Sequence, residues 1–267
     1  MKVLLKIAPV LLSVLSVTGF ASIPPSQFIV RQMAAKHAAA KGIRVRSLVS
    51  EWSDGKEGAV HFRTATWIHP QNGTVRSFAL DDSGRKLYAI ERRPETVPLG
   101  YAILFWPSGR HLAFALKARG IEVKTDDELS KMTDESERQA AETSRLERFN
   151  EHIAWVIGAK DRTRKVPQLW IEKDTFLPLF LVTPGETEEL YELTFEGHKS
   201  FKDLSIPVQI TVKKGGTSIL KDEVQDVAFS ADSAEFKGIL HTGYTELGQG
   251  ASPEIKKLIQ TYFEVLR

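Results

Sequence analysis

Residues 166–197, VPQLWIEKDTFLPLFLVTPGETEELYELTFEG, decide how this chain folds. They read as a β-meander with one strand over Gln168–Glu172, a turn at Lys173–Thr175, a second strand over Phe176–Val182 and a third over Glu189–Glu196. Thr183-Pro184-Gly185 supplies the second reversal, proline fixing one backbone angle and glycine freeing the next. In the third strand Tyr191, Leu193 and Phe195 share one face, and Glu192, Thr194 and Glu196 share the other. A period of two means one dry face and one wet face. Pro178 has no N–H to give to a ladder, so it belongs at a strand edge or a bulge. Nothing in this stretch suggests catalysis.

Outward from the meander the same pattern continues. A strand over His152–Ala159 and a basic turn, Lys160–Lys165, precede it. Val208–Lys213, a Lys214-Gly215-Gly216 turn and Ser218–Phe229 follow it. Nearer the N-terminus, strands over Ile43–Trp52, Ala59–His69, Val75–Leu80 and Lys86–Arg92 are separated by Ser53-Asp54-Gly55, Asn72-Gly73 and Asp82-Ser83-Gly84. Asn-Gly between alternating strands is a strong hairpin signal. Asn72-Gly73-Thr74 also spells a glycosylation sequon, and turn chemistry is the better reading of it. The strands are all antiparallel in expectation.

Helical spacing marks three other regions. Ser26 as N-cap and Gly42 as C′ residue bound a helix over Gln27–Lys41, with Ile29, Met33, His37 and Ala40 on one stripe. His37 reads as a packed histidine, because no second ligand lies within reach. Roughly residues 99–149 form an insertion. In it Tyr101–Trp106 is apolar, His111–Ala118 is a short helix closed by Gly120, and Thr125 with Glu128 makes a capping box for a mostly polar helix running towards Arg148. Ser252 caps a C-terminal helix that Pro253 starts, and Ile255, Leu258, Ile259, Tyr262 and Leu266 should dock it on the body or on a partner, the body being the better reading. The expected division is therefore a leader over 1–21, one domain over 22–240, and a linker with an amphipathic helix over 241–267.

The leader reads as an export signal. Lys2 and Lys6 form a basic region, Val10–Val17 an apolar one, and Gly19-Phe20-Ala21 offers small residues for cleavage after Ala21. The chain has no cysteine, so no lipid anchor is expected at that cleavage site and no disulfide framework is expected anywhere, which suits a bacterial periplasm. The formal charge is +2, and loss of Lys2 and Lys6 brings it to about zero. A neutral chain lacks the basic excess of nucleic-acid binders. With 267 residues the protein can bury a sizeable core without metal or disulfide staples.

Catalytic signatures are missing. There is no G-x-S-x-G elbow and no H-E-x-x-H, and none of the seven histidines stands three or four residues from another. Leu247-Gly248-Gln249-Gly250 lacks the third glycine of a dinucleotide loop and reads as a joint. No catalytic residue, metal or cofactor is therefore expected. The five tryptophans, Trp52, Trp67, Trp106, Trp155 and Trp170, invite a sugar-stacking reading, but four lie inside strand patterns and read as core or cavity wall.

Three motifs give the chain a resemblance. Asp82-Ser83-Gly84-Arg85-Lys86-Leu87-Tyr88 is similar to a turn and strand of the periplasmic outer-membrane lipoprotein carrier (LolA-like) family. Ala65-Thr66-Trp67-Ile68-His69-Pro70 resembles that family's strand ending in W-V-x-x-P, one residue shorter, and Leu169–Leu179 resembles its W-I-D-x-x-T-x-L-P-L hairpin. The likeness spans roughly Ser26 to Glu235. His69 stands where the family often has a basic residue before the proline, so that role is not carried over. The tail from His241 to Arg267 has no clear counterpart.

The resemblance implies an α+β fold: a strongly curved antiparallel sheet forming an incomplete barrel, covered by an N-terminal helix and a helical insertion. It implies a monomeric, soluble periplasmic carrier that shields acyl chains of a lipid or lipid-modified protein, passing them between membrane-bound donor and acceptor proteins. By alternation, Phe62, Tyr88, Ile90, Trp170, Leu179, Leu181, Tyr191, Leu193, Phe195, Val208 and Ile210 are candidates for the cargo wall. Phe28, Ile29 and Met33 are candidates on the covering helix. Two alternatives stand beside the carrier: a scaffold of the same fold that carries nothing and assists envelope assembly, and an envelope hydrolase with an unrecognised site. A continuous apolar cavity favours the carrier, and a packed interior favours the scaffold.

Overall fold

A computed structural model describes residues 23–36, 42–53, 55–69, 74–92, 109–134, 136, 144–160, 162–185, 188–202, 204–229 and 251–265. The leader, His37, the Asn72-Gly73 turn, Tyr101–Trp106 and Leu247–Gly250 lie outside them. Eleven strands form one antiparallel sheet in the order β4-β3-β2-β1-β13-β12-β9-β8-β7-β6-β5, an incomplete barrel with β4 and β5 at its two ends.

The sheet is two meanders joined along one seam. The first comprises β1 (Ile43–Ser53), β2 (Lys56–His69), β3 (Thr74–Leu80) and β4 (Lys86–Arg92). The second comprises β5 (Arg145–Phe149), β6 (His152–Ile157), β7 (Gln168–Glu172), β8 (Pro178–Pro184) and β9 (Leu190–Glu196). A small separate hairpin, β10 (Lys199–Phe201) and β11 (Leu204–Ile206), precedes β12 (Gln209–Lys214) and β13 (Thr217–Phe229). β13 pairs with β1 from Ile43↔Phe229 to Glu51↔Leu220, with a register shift between Arg46 and Ser47. Among the described residues that pairing alone bonds the first meander to the rest of the sheet.

Turn chemistry sets the strand ends. Gly215 and Gly216 both take positive φ, 57° and 81°, which is the two-residue reversal between β12 and β13. The β3–β4 turn is organised by Asp81 rather than Asp82. Asp81 Oδ1 accepts from the backbone N–H groups of Ser83 (3.0 Å) and Arg85 (2.9 Å), and Gly84 sits at φ 81°. Pro178 lies in an interior strand opposite Ile171, where the β7–β8 register shifts, so the bulge is its place and not an edge.

Two local expectations are corrected. Arg145–Phe149 is strand β5 and not the end of a helix: Leu146 and Phe149 are three apart, as in a helix, but pairing with β6 decides the conformation. Asn150, at φ 52°, makes the reversal in the two-residue link to β6. The polar helix opened by Thr125 spans only Asp126–Ser130, although its capping box is present. Ser26 is the first helical residue and does not cap; its buried hydroxyl accepts instead from the backbone N–H of Lys124 at 3.2 Å.

Four helices of the described residues, α1 (Ser26–Ala35), α2 (Gly109–Ala118), α3 (Asp126–Ser130) and α4 (Pro253–Val265), accompany the sheet. Gly120 closes α2 as expected, at φ 74° with its N–H donating to the Lys117 carbonyl. Glu128 ties α3 back to α2 through Lys117 Nζ at 2.7 Å, and these bonds hold its carboxyl down at about 2. Ile29, Val30 and Met33 of α1, Leu112 and Leu116 of α2, and Ile259 and Tyr262 of α4 enter one core with the inward residues of the sheet. Residues of opposite parity form two smaller clusters, so the outer face is not simply wet. One is Phe149, Ala154, Val156, Trp170, Leu179, Phe180 and Val182; the other is Ala65, Trp67 and Phe78. Cations cover both: the Arg164 guanidinium lies 5.0–5.6 Å from the rings of Phe149, Trp170 and Phe180, and Lys86 Nζ lies 3.9 Å from Phe78.

Gly158, after β6, takes φ 96°, and a Cβ there would meet Ile121 Cγ2 at 2.7 Å and the Pro167 carbonyl oxygen at 3.0 Å. Gly158→Ala is therefore expected to destabilise the fold by roughly 1–3 kcal/mol, read from the urea midpoint at unchanged m-value.

Candidate functional site

The helix-covered face of the sheet collects most of the residues that alternation nominates. Phe62, Tyr88, Ile90, Leu181, Tyr191, Leu193, Phe195 and Ile210 all point into the main core, and Ile29 and Met33 of α1 meet them there. Each is at most 6% exposed, so their surfaces are covered by the protein's own helices and neighbours. Four candidates fall elsewhere. Trp170 and Leu179 belong to the outer cluster with Phe149 and Phe180. Trp170 has the opposite parity to Leu169 and Ile171, which are in the main core, and the bulge at Pro178 turns Leu179 to the same outer side. Phe28 is 45% exposed on α1, edge-on to Phe176 at 6.4 Å. Val208 is half-buried just before β12, outside the main cluster.

The covering element with the most specific contacts is α4. Ser252 Oγ accepts from the Ile255 N–H and Pro253 starts the helix, which places Leu258, Ile259, Tyr262 and Phe263 on its buried side. Tyr262 stands edge-on to Phe62 at 5.5 Å, and Phe263 packs on Tyr88 at 4.7 Å. These are two of the nominated wall residues. A third, Tyr191, donates its hydroxyl to Glu264 at 3.2 Å.

Tyr262 also donates to Asp222 Oδ2 at 3.1 Å. Asp222 lies on β13, 1% exposed, with Ser47 bonded to its carboxyl and Glu223 as the nearest like charge. Burial pushes this carboxyl up to about 7, against the pull of the Ser47 and Tyr262 hydrogen bonds. Burial and the neighbouring Asp222 likewise raise the Tyr262 hydroxyl well above its ordinary value. A neutral acid bridging a helix to a sheet is a stable arrangement, whereas an ionised one carries an uncompensated buried charge. Sequence reasoning missed Asp222. The available signal was parity: Leu220, Asp222 and Val224 share one face of β13, so an acid occupies a core phase.

Between α4 and the strands lies a cavity of about 510 Å³. Trp52, Val60, Tyr191, Ile219 and Leu258 supply apolar wall, and Glu51, Lys214, Glu254, Lys257 and Glu264 supply charge. Lys214 is ion-paired with Glu189, and its Nζ lies 5.4 Å from the centre of the Tyr191 ring. These contacts, the Glu189 hydrogen bond foremost, raise the Lys214 ammonium above its ordinary value. Among the described residues no group of three or more His, Cys, Asp or Glu is placed to hold a metal ion. No helix among them is long and apolar enough to cross a membrane.

No protein-family model matches the chain, and no curated protein matches it. Among solved structures it is similar to a LolA superfamily protein from Nitrosomonas europaea, at 13% identity and TM-score 0.45, over 78% of this chain and 94% of that one. It is also similar to a protein from Vibrio parahaemolyticus described as an outer-membrane lipoprotein-sorting domain, at 13% identity and TM-score 0.48, over 79% and 95%. A DUF1329 family protein from Desulfovibrio piger is similar at 12% identity and TM-score 0.39, over 77% and 92%.

Asp222 and His198 make opposite contributions to stability with pH. The folded Asp222 keeps its proton to about 7 whereas the unfolded carboxyl releases it near 3.8, so Asp222 costs stability as pH rises through that window. Burial, helped by the nearby His152, lowers His198 from 6.5 to about 4, so His198 adds stability as pH rises between those values. Asp222→Asn is expected to leave a stability that rises through the His198 window. The wild-type value minus the variant value should fall by a few kcal/mol from pH 4 to pH 7, measured by urea unfolding at a series of pH values.

Proposed function

We propose that the protein is a periplasmic carrier that shields the acyl chain of a lipid or lipid-modified protein between the apolar face of its sheet and its helical cover. One observation carries this reading. The dry face of an open sheet is closed by helices, so the cover can leave without breaking a single rung of the ladder. Lifting α1 or α4 would expose Ile29, Met33, Tyr262 and Phe263 together with their partners on the sheet, which is unfavourable in water. An acyl chain laid in their place offsets that cost at about 0.8 kcal/mol for each buried CH₂. Loading is then an exchange of one apolar cover for another, and release is the reverse. The three sequence motifs and the leader support the same address and role. Membrane-bound donor and acceptor proteins would be the partners at either end.

A second reading has its own support: a scaffold that carries nothing and acts through protein contacts. All the nominated wall residues but Val208 are buried by the protein's own side chains, as in a finished core.

Native mass spectrometry of the protein purified from its own cells, with solvent extraction, separates the two. Discrete added masses resolving to acyl lipids are expected, and Phe195→Asp should abolish them while circular dichroism confirms a folded sheet. A clean mass that incubation with lipids and lipopeptides leaves unchanged would overturn the carrier and favour the scaffold.

A further inference from the structure

The cavity beside α4 has a chemistry more specific than an apolar trough. We infer that it is a binding site for a single-chain zwitterionic amphiphile, the tail inside and the head group between Glu51 and Lys257; the inference rests on the carrier reading. At about 510 Å³ the space falls within the range of roughly 300–1,000 Å³ that encloses small ligands. Trp52, Val60, Ile219 and Leu258 give it walls that favour a hydrocarbon body.

The charged groups around it select the head. Lys214 is taken by Glu189, Glu264 accepts from the Tyr191 hydroxyl, and Glu254 accepts from Ser252 and its own backbone. Glu51 on β1 and Lys257 on α4 line the same cavity from opposite sides and are exposed, and among the described residues neither carries an ion pair. A purely anionic head would meet three glutamates with only Lys257 to receive it. A purely cationic head would meet Lys257. A head bearing an ammonium and a phosphate places one charge against Glu51 and the other against Lys257. Glu254, Lys257 and Leu258 border the cavity nearer the start of α4, and Tyr262 and Phe263 pack on the sheet nearer its end.

Calorimetric titration of the purified protein with palmitoyl-lysophosphatidylethanolamine, palmitate and cetyltrimethylammonium, all below their micellar concentrations, tests this. The zwitterion should bind about tenfold more tightly than either single-sign amphiphile. Glu51→Lys and Lys257→Glu, both at exposed positions, should erase that preference, with Glu51→Lys turning it towards palmitate. Thr261→Trp, which fills the cavity from α4, should weaken all three by at least about tenfold. If Thr261→Trp does not fold, the two charge variants decide. Equal affinity for the three amphiphiles, or a preference that survives both charge variants, would overturn the inference and leave the carrier standing. Failure of all three to bind would overturn the inference, and the carrier would then stand or fall on its own mass-spectrometric test with lipids and lipopeptides.

Discussion

An open sheet with one continuous apolar face cannot stand exposed to water, and the remaining elements answer that constraint. Among the described residues, eleven strands leave two ends unjoined, so no closed barrel hides the dry side. Helices do it instead. α1 and α2 pack together beside the sheet, and α4 brings Tyr262 and Phe263 onto Phe62 and Tyr88. The outer face meets the same constraint differently, with arginine and lysine lying over small aromatic clusters in place of a second layer. One face is therefore covered by whole elements and the other by single side chains.

This asymmetry shapes the chemistry of the cover. Where α4 meets β13 the contact includes a carboxyl, Asp222, in a place where leucine would pack. A leucine there would hold the helix at every pH. The acid holds it best when neutral, and the hydrogen bond from Tyr262 fixes its register. The cavity beside the same helix shows a related economy, lined by apolar residues and by charges of both signs. Both features lie against α4, the element that the carrier resemblance left without a counterpart.

Most of the sheet was legible because alternation and turn residues agree along it. Tyr191, Leu193 and Phe195 read as one face and form one face; Gly215 and Gly216 read as a reversal and make one. β5 escaped because five mostly polar residues are too few to show a period, and only the pairing with β6 fixes them. The β10–β11 hairpin escaped for the same reason. The site was half legible. Parity groups residues correctly, but it cannot say which group faces the helices, and a bulge can reverse it, as at Leu179. Trp170 was nominated by alternation like the others, but the inner side of β7 is taken by Leu169 and Ile171 and Trp170 faces out. Asp222 was visible only as an acid at an apolar phase, and its partner Tyr262 lies on a helix whose spacing gives an apolar face but not the strand it meets.

The seam between β1 and β13 bears on how the molecule is made. β1 can pair with β2 as soon as the first meander is complete, but its other flank waits for a strand that ends at Phe229. A chain emerging N-terminus first therefore holds an open strand edge of Ile43, Val45 and Val49 through the synthesis of nearly everything else. The last pairing is also the most distant in sequence, which makes it the slow step by topology. Until that step, the protein most at risk of sticking to its own copies is the half-built one, and protection at that stage has to come from outside the fold.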